Sequence, residues 1–238
     1  MVQYNPLQYL PTAEELPDSD DIPVDNELQN LIPNLLLASL ALIWPERMDW
    51  FFGVDMGIHY IPNLRHPEPL VPDGFLSLGV KRHKEKRGRL SYVLWEEDYV
   101  VPLFGLECIS LTYGKEYGDK QQKYSQLGVL YYVVYNPDYW ERDNHKPLEV
   151  YRLVDGEYVR QSGEPFWMPE IGLGIGRGEG TYAGWSREWL YWYDEQGNQF
   201  PAPDNVIEQE RQRANQLALQ LEDLRTKLRE QGIDPDSL

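Results

Sequence analysis

The chain has 238 residues, 42% hydrophobic and 13% aromatic, enough to bury one sizeable core plus an appendage. A formal net charge of −17 excludes a uniformly basic nucleic-acid-binding domain, and a single cysteine, Cys108, excludes an intrachain disulfide framework. His59, His66, His83 and His145 show no zinc-type spacing, no apolar run approaches the roughly 18 residues of a membrane span, and the N-terminal stretch has neither a basic nor an apolar leader segment, so a cytoplasmic protein without membrane association is expected.

Residues 1–25 are acidic and interrupted by prolines, with no sustained period, and read as an extended arm. From Asn26 the run ELQNLIPNLLLASLALI has apolar residues at helical spacing, with Glu27 at its start and Pro33 either kinking the helix or opening its main part. Short aromatic strands follow around WFFGV and GIHYIP. Asp55 lies between them, as a hairpin-turn residue or as an acid behind a site. In PLVPDGFLSLGV, Asp73 follows Pro72 and precedes an alternating strand, so its side chain can stand at the end of a sheet.

The next segment, KRHKEKRGR, carries six Lys/Arg and one Glu over residues 81–89, a local charge of +5 against −22 for the rest of the chain. Lys81, Arg82, Lys84, Lys86, Arg87 and Arg89 are candidate contacts to a phosphate backbone, or else a solvated hairpin tip. After a strand at LSYVLW comes the run Val101 to Leu111, apolar enough for a strand buried on both faces, yet it contains Glu107. A helix expected from about Lys115 to Leu127 places Tyr117, Lys120, Tyr124 and Leu127 on one stripe, with Lys123 turned to solvent, and leads into the strand LYYVVY.

The later half reads as β additions. LEVYRLVDGEYVRQ is a hairpin with Asp155-Gly156 at its turn. IGLGIGRGEGTY has alternate glycines that do not match a phosphate loop and is read as a strand with a flexible turn, while Ser186 lacks the neighbours of a nucleophile elbow. After the aromatic strand WLYWY and the proline-rich FPAPD, residues 206–230 keep a helical pattern with Ile207, Ala214, Leu217, Leu221, Leu224 and Leu228 on a heptad seam. Such a tail is expected to make a short coiled coil and a homodimer. The divisions expected are thus an arm at 1–25, a body at 26–200 and a helical tail at 201–238.

Asp73, Glu107 and Lys120 are three ionisable groups carried inward by neighbouring elements, either a buried salt bridge or an active site. Two carboxylates with a nearby main-chain carbonyl suit a hard cation such as magnesium or manganese, and a lysine beside them can orient a water or neutralise developing charge on a phosphate.

The order Pro-Asp before a strand, a strand glutamate, then Lys-x-x-x-Tyr-x-x-x-Gly-Val leading to an aromatic strand ending Asn-Pro-Asp resembles the Uma-two restriction endonuclease family of the PD-(D/E)XK nuclease superfamily. The likeness runs from about Ile32 to Asp194, with more in YWYDEQGN and in the tail. It implies a restriction-endonuclease-like mixed α/β sheet flanked by helices, magnesium or manganese as cofactor, and Asp73, Glu107 and Lys120 as the catalytic set, Asp73 and Glu107 holding the metal. Folds of this kind sometimes add an acid from the first helix, which makes Glu27 an accessory candidate alongside Asp55. The chain departs from the superfamily at Ile109, where a lysine usually stands, so Lys120 is expected to substitute. The function expected is a metal-dependent endonuclease acting on DNA. A catalytically silent module that oligomerises through its tail is the alternative.

Overall fold

The computed structural model describes residues 10–17, 26–61, 68–84, 86–111 and 116–231. In chain order these form α1 (Glu27–Ile43), β1 (Trp50–Val54), β2 (Ile58–His59), β3 (Gly74–Leu78), β4 (Tyr92–Val93), β5 (Phe104–Cys108), α2 (Asp119–Leu127) and β6 (Tyr131–Tyr135). There follow α3 (Trp140–Asp143), β7 (Leu148–Val154), β8 (Glu157–Arg160), β9 (Phe166–Met168), β10 (Leu173–Tyr182), β11 (Trp185–Tyr193) and α4 (Pro203–Glu230). The central sheet has the order β1-β3-β5-β6-β7-β8, and its single parallel pair is β5 with β6. Parallel neighbours require a crossover, which here carries α2.

Alternation along β5 divides the core into two layers. Phe104, Leu106 and Cys108 pack with the apolar stripe of α1 and with the sheet β11-β10-β9. The opposite face is covered by α2, where Tyr124 and Leu127 join Phe75, Tyr92 and Tyr132. Asn26 starts α1 by accepting the Leu28 and Gln29 amides on its side chain, and Pro33 lies inside the helix without ending it. Trp192 ties β11 to α1 by donating from Nε1 to the Leu36 carbonyl at 2.9 Å.

Several elements differ from their sequence pattern. The helix α2 begins at Asp119, with Gly118 as a cap that offers no side-chain acceptor, so Tyr117 precedes the helix and stacks on His145 at 3.5 Å between ring centroids. Its C-terminus is where the pattern put it, because Gly128 takes a left-handed φ of 91° and closes the last turn. Asp55, at φ 48°, is not a hairpin turn: β1 pairs with β3 and β2 with β4, so the bend at Asp55 passes the chain from one sheet to another. LSYVLW supplies only two strand residues before a 3-10 turn at Leu94–Glu96. Of the expected N-terminal arm, residues 10–17 are described: the Pro11 carbonyl accepts Trp95 Nε1, and Leu16 is buried.

The β additions follow their pattern. Asp155 and Gly156 both take positive φ in the β7–β8 turn, and Ala183-Gly184 does the same between β10 and β11. The alternate glycines of β10 lie under aromatic side chains; a Cβ at Gly180 would stand 2.1 Å from the Tyr191 hydroxyl. Among the described residues no helix is long and apolar enough to cross a membrane.

Candidate active site

Strand pairing builds the site. The β3–β5 register sets Gly74 opposite Leu106 and Phe75 opposite Gly105, so one residue further along Asp73 stands opposite Glu107. The period-two alternation of both strands sends the two carboxylates to the α2 face. Like charges directly opposite in a ladder repel, so the pair needs compensation. Asp73, part-buried, accepts the Cys108 amide on Oδ2 at 2.5 Å. Glu107 is 1% exposed and accepts Lys120 Nζ on Oε2 at 2.8 Å and the Tyr124 hydroxyl on Oε1 at 2.6 Å. Tyr124 reaches that far because β5 carries glycine beneath it: a Cβ at Gly105 would lie 2.8 Å from the Tyr124 ring.

Electrostatics follow from this crowding. Burial raises the Asp73 carboxyl well above the usual carboxylate range and the Glu107 charge adds to it, while the Cys108 amide and Lys120 act the other way. Burial also raises Glu107, against the opposing pull of Lys120 and Tyr124. Burial disfavours the charged form of Lys120, but Glu107 more than offsets it, and the ammonium is held charged. Among the described residues one cation therefore serves two carboxylates, which leaves these groups short of positive charge whenever both ionise.

That donor set fits a hard divalent cation. Two carboxylate oxygens and the carbonyl of Cys108, whose amide already touches Asp73, are ligands of the kind magnesium and manganese take. Among the described residues no group of three or more His, Cys, Asp or Glu side chains is arranged to hold a metal, so further positions would fall to water, which magnesium retains readily.

Two contributors were not assigned a role from the sequence. Gln29 of α1 donates from Nε2 to the Cys108 carbonyl at 3.3 Å, bringing the first helix to the site, whereas Glu27 at the head of the same helix is exposed. The hydroxyl of Tyr124 holds Glu107; its place on the Lys120 stripe was the available signal. Asp55 is exposed, donates its amide to the Asp73 carbonyl at 3.2 Å, and its charge raises Asp73 further. Ile109, at the position of the superfamily lysine, is 4% exposed in the α2-side core, and the cation at Glu107 comes instead from Lys120.

The basic segment is divided by the fold. Lys84 binds Glu96 and Glu97 at 3.0 and 3.1 Å, and Arg89, with a side chain 2% exposed, binds Glu97 at 2.9 Å. Burial works against Glu97, yet Arg89 and Lys84 hold its carboxyl below the usual range. Arg82 lies over the Trp50 ring at 4.0 Å. Lys81, Lys86 and Arg87 are exposed.

A solved structure from Anabaena variabilis ATCC 29413, described as "a putative nuclease belonging to DUF820", is similar at 12% identity over 62% of this chain and 74% of that one, with a TM-score of 0.42. No curated protein matches the chain. The family model "Uma2: Putative restriction endonuclease" matches residues 5–178, starting upstream of Ile32 and stopping before the YWYDEQGN strand. The match takes in Asp73, Glu107 and Lys120 and well over half of the sequence, and the chain belongs to the Uma2 family.

Proposed function

We propose that the protein is a metal-dependent endonuclease that hydrolyses phosphodiester bonds in DNA, with Asp73, Glu107 and Lys120 as its catalytic residues. The observation that carries the reading is the opposition of two carboxylates across β3 and β5 with the Lys120 ammonium laid against one of them at 2.8 Å. Asp73, Glu107 and the Cys108 carbonyl would hold magnesium or manganese, which when bound supplies Lewis acidity toward a phosphate and makes water a better nucleophile. Lys120, held charged by Glu107, orients the attacking water and offsets negative charge that develops on the phosphate oxygens. Tyr124 keeps Glu107 in place, and Gln29 fixes the Cys108 carbonyl. The exposed Lys81, Lys86 and Arg87 contact the phosphate backbone and position it without reading sequence.

Supercoiled plasmid, linear duplex and single-stranded RNA incubated with the protein in magnesium or manganese test this. Nicking or linearisation of plasmid that stops with a chelator, and that is lost in Glu107→Gln and Lys120→Met while both variants keep the wild-type circular dichroism spectrum, is the expected result. Intact DNA under every metal would sink the nuclease reading and favour a silent interaction module; cleavage of RNA alone would overturn the substrate.

A further inference from the structure

Among the described residues, the tail helix meets the body at its start. Ala202 is buried ahead of it and Asp204 accepts the Ala183 amide, but no residue of α4 is buried along its 28 residues, which span about 42 Å. Ile207, Leu217, Leu221 and Leu224 are 67%, 57%, 53% and 54% exposed, at alternating three- and four-residue spacing on one stripe. The described residues of the body leave this seam uncovered, and leucines exposed in a row call for a partner.

Charge identifies the partner. Residues 206–230 hold five acidic and five basic side chains, so the tail is neutral on a chain of net charge −17, and it is the segment two copies can bring together without repulsion. With Ala214, Leu221 and Leu228 as one core row and Leu217 and Leu224 as the other, the flanking positions are Arg211, Arg213, Ala218, Gln220, Arg225 and Lys227, with no acid among them. An antiparallel pair that sets Leu221 on Leu217 brings Arg211 opposite Arg225 and Arg213 opposite Lys227, twice over. A parallel pair sets Arg213 against Ala218, Gln220 against Arg225 and Val206 against Arg211, with no like-charged contact at these flanking positions. Glu210, the polar residue in the seam, then meets Glu210 of the second copy, a repulsion offset by Arg211 of the partner helix and by Arg213 of its own, 3.8 Å away. A polar residue at one core position fixes alignment at a cost in stability.

We propose that the chain forms a parallel two-stranded coiled coil through α4 with a second copy of itself, which holds both bodies at the same end of the pair. The inference stands whether or not the body cleaves nucleic acid. Light scattering of the full chain at micromolar concentration should give twice the 27.9 kDa of one copy. Leu217→Glu with Leu224→Glu should halve that mass without lowering the melting temperature of the body, since neither leucine packs against it. Orientation is read with Glu210→Cys: parallel helices join the two thiols on mild oxidation, while antiparallel ones hold them about 27 Å apart. The native Cys108 is 4% exposed and stays out of the reaction, which wild-type protein run alongside verifies. A monomeric wild type, a dimer that survives both glutamates, or a dimer that Glu210→Cys fails to cross-link would each overturn the proposal.

Discussion

Replacing Asp73 by asparagine should stabilise the metal-free protein and abolish its stabilisation by manganese. The asparagine oxygen can still accept the Cys108 amide, now at 2.5 Å from Oδ2, while one of two opposed charges is removed. Side chains directly opposite in an antiparallel pair have Cβ atoms about 5 Å apart. At that separation, with an effective dielectric of about 20, two unit charges repel by about 3 kcal/mol. Lys120, 2.8 Å from Glu107, offsets part of this and leaves a gain of about 1–2 kcal/mol, which for a domain of this size is a rise of roughly 2–8 °C in melting temperature. The sign with pH follows from the raised Asp73 pKa, caused first by burial and then by Glu107. Its contribution to stability is fully present below the unfolded carboxylate pKa and is lost as pH rises through the folded value. The variant should therefore gain little at about pH 4, near the unfolded carboxylate value, and progressively more as pH rises above it. Manganese, which competes with the same proton, should stabilise the wild type more at the higher pH. Scanning fluorimetry with and without manganese reads both effects. A variant that melts below wild type without metal at the higher pH, or that still gains from manganese, refutes the reasoning.

Tyr124→Phe removes a 2.6 Å hydrogen bond to the buried Glu107 carboxylate and should cost about 1.5–3 kcal/mol in urea unfolding, with cleavage reduced rather than lost. Gly105→Ala would push a Cβ to 2.8 Å from the same ring, and a comparable loss of about 1–3 kcal/mol from overpacking is expected in the same assay. In the basic segment, Lys86→Ala with Arg87→Ala should weaken DNA binding evenly across sequences and lower the logarithmic salt slope by about 0.9 per lost phosphate contact. Lys84→Ala should instead lower the melting temperature, because Glu97, 7% exposed, would keep Arg89 alone of its two cations.

Local chemistry made much of the fold legible. Asp155-Gly156 marks the β7–β8 hairpin, Gly128 ends α2, and the seam from Ile207 to Leu228 lies within a single uninterrupted helix. Glu107 stood out because an acid in an otherwise apolar strand has to be compensated, and the compensation is the Lys120 stripe. What stayed hidden depends on long-range pairing. Nothing near Asp73 in the sequence tells that β3 and β5 run antiparallel in the register that sets it against Glu107, or that Gln29 reaches the Cys108 carbonyl from 79 residues away. The true start of α2 was hidden for a different reason: Tyr117 fits the helical stripe, and its stacking on His145 competes with that fit. The basic run was visible as charge, but its division between exposed cations and partners of Glu96 and Glu97 required the turn that follows β4.

The most direct test of the site is a crystal of the wild-type protein soaked in manganese, with anomalous differences collected at the metal edge. A single peak within coordinating distance of the Asp73 and Glu107 carboxylates and the Cys108 carbonyl, absent from Asp73→Asn crystals grown alike, is the predicted result. Density without a peak there, with Lys120 still bonded to Glu107 as an unaltered ion pair, would contradict the account.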